Sequence, residues 1–201
     1  MWKKVFHLQQ SFAKTTITAG MTQHKSAMDD LSPKGSFVRK DSVFRNFITA
    51  DGSSGYKAEA NRYHLYISFA CPWAHRTLIV RKIKGLEDVI SLNVVDYFMD
   101  STTGWRFSPD RPGCTPDSVN NCTLLRQVYQ ISEQGYSGRV TVPILFDTKT
   151  KKIVNNESSE IIRMMNTEFN AFCKTKEQAD LHFYPDNLKA EIDELNSWIY
   201  P

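Results

Sequence analysis

The spacing of apolar residues changes period at one point, and that point constrains the fold more than any other feature of the chain. Residues 62–69 are rich in aromatic and β-branched side chains in rough alternation, as a strand requires. Residues 73–83 set apolar side chains among arginines and lysines at helical spacing. The switch falls at Cys71-Pro72. Proline is favoured at the first helical position, where its missing N–H would be unpaired anyway, so Pro72 starts a helix, Cys71 is its N-cap and Gly85 ends it. Unpaired backbone N–H groups and the positive end of the helix dipole converge on a sulfur placed there and favour thiolate over thiol, which makes Cys71 a candidate nucleophile. Read alone, the same cysteine also fits a buried structural thiol. A redox dithiol needs a second cysteine three residues on, and Ala74 stands there, so Cys71 works as a monothiol or not at all.

The rest of the chain builds outward from this junction. Residues 89–95 read as a second strand, reached after one helix and so expected parallel to the first, which makes a βαβ unit. Gly104, Pro109, Pro112, Gly113 and Pro116 forbid a long element between Asp96 and Asn121, and Trp105 and Phe107 sit inside that loop. Leu124, Leu125, Val128 and Ile131 mark one face of a helix over about 121–133, closed by Gly135 and Gly138. Residues 140–146 read as a strand containing Pro143, which is tolerated at an edge, a bulge or a cis bend. A polar turn over 147–152 and a short strand over 153–155 complete a hairpin. Asn156, Glu157 and Ser158 then start a helix with Ile161, Ile162, Met165 and Phe169 as its apolar stripe. The order βαβ followed by αββα specifies an α/β, thioredoxin-like domain with a mixed four-stranded sheet.

The expected organisation is a leader or disordered tail over 1–35 and a thioredoxin-like domain over 36–170, whose irregular N-terminal arm runs over 36–61. A linker over 171–187 and a first helix of an all-α domain over 188–201 follow. Leu188, Ile192, Leu195 and Ile199 trace the apolar edge of that last helix, which needs packing partners to be stable. The helix either docks on the first domain or belongs to a longer two-domain protein, and the reading favours the second.

Composition excludes more than it assigns. The 201 residues carry a formal charge of +3 spread along the chain, with no module that interleaves aromatic and basic residues for nucleic acid. No uncharged apolar run approaches the roughly 18 residues that span a bilayer. Cysteines at 71, 114, 122 and 173 show neither zinc-knuckle spacing nor the density of a disulfide scaffold, which suits a reducing compartment. No metal-ligand pattern joins His64, His75 and His182. Residues 1–28 hold four lysines and no acidic residue, a composition shared by mitochondrial presequences and disordered cytosolic tails. The expectation is cytoplasmic, with a mitochondrial alternative resting on 1–28.

Several motifs agree in order with one family. They are Gly35 through Arg45; Arg62-Tyr63-His64-Leu65-Tyr66; Cys71-Pro72-Trp73-Ala74-His75-Arg76-Thr77-Leu78; Gly104-Trp105-Arg106-Phe107; residues 136–143; residues 155–164; and Trp198-Ile199-Tyr200. Over roughly 35–200 the chain resembles the cysteine-type glutathione transferases, and more narrowly the glutathionyl-hydroquinone reductases, the Xi-class relatives of the omega transferases.

That resemblance implies glutathione as co-substrate, Cys71 as the catalytic residue, and a glutathione site of Trp105, Arg139, Val140, Thr141, Val142, Pro143, Glu157 and Ser158. The cysteinyl backbone of glutathione adds beside Val142, where a cis bend before Pro143 leaves an N–H and C=O unpaired. The γ-glutamyl carboxylate suits the helix start at Ser158, and Glu157 meets the ammonium. Trp105 packs on or donates to the tripeptide, and Arg139 offers a guanidinium to its carboxylate. Read without the resemblance, Glu157 and Ser158 are also a good helix start, Trp105 a loop anchor and Arg139 a turn residue. The resemblance further implies a small aromatic or disulfide second substrate, no metal, no nucleic acid or membrane partner, and a homodimer for a full-length form. In the family the hydroquinone-binding and proton-donating tyrosines lie in an all-helical second domain, so the glutathione site carries over to this chain and the second-substrate site does not. Two other functions share these residues: an omega-like thioltransferase or dehydroascorbate reductase, and a non-catalytic interaction domain of the same fold.

Overall fold

The computed structural model describes residues 41–199; the leader expected over 1–35, residues 36–40 of the arm and residues 200–201 lie outside the described residues. A four-stranded sheet forms the centre, in the order β4 (Ser91–Val94), β3 (Tyr63–Ile67), β5 (Ile144–Asp147), β6 (Lys152–Asn155). The β3 and β4 strands run parallel, whereas β3–β5 and β5–β6 are antiparallel. Both central strands are buried along their whole length, which explains why β3 carries aromatic and aliphatic residues on both faces and alternates only roughly. Fully burying each aliphatic side chain of this layer stabilises the fold by about 1.5–3 kcal/mol.

The helix after β3 is α1 (Pro72–Ile83), with Cys71 in extended backbone at its N-cap and proline at N1, as the sequence predicts. Its end depends on Gly85, at φ +66°, which lets the N–H of Leu86 reach the Arg81 carbonyl at 2.9 Å. A Cβ at that glycine would meet the end of the Gln178 side chain at 2.2 Å, so any other residue would both adopt a strained φ and displace Gln178.

Three expectations are corrected. First, β5 begins at Ile144, after the proline, so 140–143 is not strand; the Val142–Pro143 bond is cis. Second, the following-loop helix α2 spans Leu125–Ser132 and buries Leu125, Val128, Tyr129 and Ser132, while Leu124 stays half-buried and Ile131 is exposed. The hydroxyl of Ser132 accepts the Ile153 N–H, which turns a polar residue inward toward β6. Third, α3 (Ser158–Thr167) buries Met164 where Ile162 was expected. Helices α1 and α3 pack together, and α2 packs against β6.

The stretch expected as a linker carries structure of its own. It contains α4 (Lys176–Asp180), capped by Thr175 through the Gln178 N–H, and it docks on the end of α1 through Lys84. The Lys84 side chain is fully buried and its ammonium donates to the carbonyls of Ala179 and Leu181 at 3.1 and 2.9 Å; burial lowers its pKa. A last helix, α5 (Lys189–Ile199), leans on α3 through Arg163, which pairs with Asp193 at 2.7 Å and lies over the Tyr184 ring at 4.0 Å. Leu195, Trp198 and Ile199 of α5 are exposed.

The arm also has structure. Two short strands, β1 (Ile48–Thr49) and β2 (Tyr56–Lys57), pair in parallel around the Asp51–Gly55 turn. Before them the chain runs antiparallel along the free edge of β6, with Asn46 donating to the Val154 carbonyl and the Asn156 N–H donating to that of Phe44, both at 3.0 Å. An otherwise open sheet edge is thereby covered.

Candidate functional site

At the C-terminal end of β3 the chain turns sharply, with the Cys71 N–H bonded to the Ser68 carbonyl at 3.1 Å, and the cysteine enters α1. Its sulfur lies 3.5 Å from the carbonyl oxygen of Val142. Helix start and pre-proline segment, 71 residues apart in sequence, therefore meet at one atom pair. Cys71 is half-buried, and it is one of four free cysteines. Burial, followed by the Asp117 carboxylate, pushes the Cys122 thiol up to about 12; burial also pushes up those of Cys114 and Cys173.

The segment 139–142 has no ladder partner, and two tyrosine hydroxyls hold it instead. Tyr129 donates to the Thr141 carbonyl at 3.0 Å and accepts the Thr141 N–H at 3.2 Å, while Tyr136 donates to the Arg139 carbonyl at 2.6 Å. The two rings stack at 4.9 Å, and Phe44 of the arm packs on both at 5.6 Å. Val140 and Val142 are buried beneath, and Pro143 with them.

The third element is the start of α3. Glu157 is its N-cap, nearly buried, and its carboxylate accepts the N–H and hydroxyl of Ser159 at 3.1 and 3.0 Å. An acidic N-cap complements both the unpaired donors and the dipole of the helix. Arg76, one turn into α1, donates from Nε and Nη2 to the Ser158 hydroxyl at 3.1 and 2.7 Å and stands 3.6 Å from Glu157. Cysteine helix and α3 start are thus joined by one guanidinium. Asn156 joins the rest: its amide accepts the Phe44 N–H at 3.1 Å and donates to Tyr129 at 3.2 Å and to the Thr141 hydroxyl at 3.3 Å.

Of the residues singled out in the sequence, Cys71 and Val142 come into contact, and Glu157 and Ser158 are tied to α1 through Arg76. Arg139 and Thr141 are held in place through their backbones. Trp105 is partly buried against the core, and its carbonyl accepts the Leu125 N–H at 3.0 Å. Its loop is anchored by Asp96, whose N–H donates to the Arg106 carbonyl at 2.8 Å and whose own carbonyl accepts the Ser68 hydroxyl at 2.9 Å. Burial pushes the Asp96 carboxyl up, but the Phe98 N–H, the Ser108 hydroxyl and Arg111 outweigh it and hold the group below its usual range. The residues that sequence reasoning missed are Arg76, Tyr129 and Asn156. Arg76 lay in plain view within the Cys71–Leu78 motif, and its spacing of five from the cysteine, just over one helical turn, was the available signal.

Comparisons with known proteins point the same way. Residues 70–168 match the profile described as glutathione S-transferase, N-terminal domain. Glutathionyl-hydroquinone reductase YqjG of Escherichia coli is 50% identical over 183 residues, covering 88% of this chain and 54% of that protein. The crystal structure of glutathione-S-transferase Xi from Phanerochaete chrysosporium superposes with a TM-score of 0.76 at 49% identity, over 82% of this chain and 54% of that one. The glutathione-bound structure of YqjG does so with a TM-score of 0.73 at 51% identity, over 79% and 52%. This chain spans about half the length of the curated relatives it matches. Among the described residues no helix is long and apolar enough to cross a membrane. Fold, family profile and relatives agree: the chain belongs to the glutathione transferases, within the Xi class, and its thioredoxin-like unit is the N-terminal domain of that family.

Proposed function

We propose that the chain is the glutathione-binding and thiol-bearing part of a glutathione-dependent reductase that converts glutathionyl-hydroquinones to hydroquinones. One observation carries this reading: the Cys71 sulfur, at the start of α1, lies 3.5 Å from the carbonyl of Val142, the residue where the backbone of glutathione would pair. Glutathione lies in the structure of one relative, YqjG, and reduction of glutathionyl-hydroquinones names that same relative. In the proposed site the cysteinyl backbone of glutathione extends beside Val142 and Pro143, and its γ-glutamyl group meets Glu157 and Ser158. Arg139 to Thr141 and Trp105 line the remainder.

The Cys71 thiolate attacks the glutathione sulfur of the thioether. A Cys71–glutathione disulfide forms, the carbon–sulfur bond breaks, and its electron pair leaves with the ring carbon, which takes a proton to give the hydroquinone. A second glutathione, as thiolate, attacks the mixed disulfide and releases glutathione disulfide and free Cys71 thiolate. We assign 36–170 to the thioredoxin-like domain, 171–187 to a linker carrying α4, and 188–201 to the beginning of an all-α domain that completes the aromatic substrate site and the dimer of the longer form. The test is turnover of a glutathionyl-hydroquinone against a small glutathione mixed disulfide, for the wild type and for Cys71→Ala. Full activity in the folded Cys71→Ala protein contradicts the reading. Turnover of the mixed disulfide alone supports the thioltransferase instead.

A further inference from the structure

The carboxylate of Glu157 is fixed from two sides. Its Oε1 faces α3 and takes the Ser159 N–H and hydroxyl, with Arg76 at 3.6 Å. Its Oε2 is held by a residue far away in sequence: the hydroxyl of Ser42, in the N-terminal arm, lies 3.0 Å from it. The same hydroxyl is 3.3 Å from the Asn156 carbonyl, so its single proton goes to the nearer, anionic acceptor. Ser42 is brought there by the paired bonds of Phe44 with Asn156, N–H to Oδ1 at 3.1 Å and N–H to carbonyl at 3.0 Å, and Arg45 forks onto Glu160 one turn further along α3.

We infer that the N-terminal arm is a working part of the glutathione site, with Ser42 a positioning residue that orients the Glu157 carboxylate toward the α-ammonium of the γ-glutamyl group. The inference rests on the proposed function, which needs glutathione at this site but makes no use of the arm. Ser42 touches no substrate atom and acts through Glu157. Its loss removes one of the bonds that orient the Glu157 carboxylate, so the contribution falls on the ammonium contact and leaves the cysteinyl end beside Val142 untouched.

The test compares glutathione with glutaryl-cysteinylglycine, the same tripeptide lacking the α-amino group, by calorimetric titration of the full 201-residue chain. Ser42→Ala is expected to lose about tenfold in affinity for glutathione and less than about twofold for the des-amino peptide, the size of one hydrogen bond to a charged group. Ser42→Thr, which keeps the hydroxyl, restores most of the loss. Equal losses for both peptides show a merely structural arm and overturn the inference, as does a Ser42→Ala protein that binds glutathione like the wild type. A wild type that binds neither peptide overturns the proposed site itself, and the role of Ser42 with it.

Discussion

The sulfur of Cys71 and the carbonyl oxygen of Val142 lie 3.5 Å apart, although one belongs to a helix start and the other to the residue before a proline. The pairing is possible because β3 and β5 are adjacent strands of one sheet and run antiparallel, so the exit of the first and the entry of the second lie at the same end. A peptide backbone that pairs with Val142 therefore brings its own sulfur toward Cys71.

The Val142 edge depends on Tyr129. Replacing it with phenylalanine removes the hydroxyl that satisfies both backbone groups of Thr141 and one N–H of Asn156, and leaves the stack on Tyr136 intact. Tyr129→Phe is expected to lower stability by about 1–3 kcal/mol, the penalty for unpaired buried polar groups, and to weaken glutathione several-fold. Chemical denaturation and titration calorimetry measure the two effects. Unchanged glutathione affinity would detach this edge from the site.

Much of this architecture is legible in the sequence because it is local. The change of period at Cys71, proline at N1 and glycine after the helix each act within a few residues, and together they give β3, α1 and the cysteine position. The errors have a common origin in long-range contacts. Pro143 cuts the expected strand short because 139–142 finds its hydrogen bonds on the hydroxyls of Tyr129 and Tyr136 instead of on a neighbouring strand. The α2 face turns because Ser132 has an N–H of β6 to serve. Nothing near Lys84 announces that its ammonium reaches two carbonyls about 95 residues away. Nor does the arm announce its contact with Glu157, which spans 115 positions.

A pH effect is built into β3. His64 is fully buried, with Nδ1 2.6 Å from the Ser91 hydroxyl and Nε2 without a hydrogen-bond partner among the described residues, and burial lowers its pKa from 6.5 to about 4. Between those values the unfolded chain binds the proton more tightly, so the contribution is full above about pH 6.5 and is lost as pH falls toward 4. It amounts to about 3 kcal/mol in all. Guanidinium unfolding at pH 7, 5.5 and 4.5 is expected to show a shallower acid decline in His64→Asn than in the wild type. Parallel declines contradict this assignment.

One buried ion pair locks the base of the sheet. Arg62 donates from Nε and Nη2 to the two oxygens of Asp147 at 3.1 and 2.7 Å, and the carboxylate is fully buried. Burial pushes that carboxyl up; the bonds from Arg62, Thr150 and the Lys149 N–H outweigh it and keep the group ionised. Asp147→Asn leaves the guanidinium without its main partner and is expected to cost about 3–5 kcal/mol in equilibrium unfolding. A loss under about 1 kcal/mol would mean that Glu59, 2.8 Å away on Nη1, suffices for Arg62.

The central claim is that Cys71 is the glutathione-accepting thiol, and intact mass after brief exposure to glutathione disulfide at neutral pH tests it most directly. Cys114, Cys122 and Cys173 have thiols pushed up by burial and stay protonated under these conditions. The account predicts a gain of one glutathione, mapped by peptide analysis to Cys71, absent from Cys71→Ser and reversed by added glutathione. Modification spread evenly over the four cysteines, or none at Cys71, would contradict it.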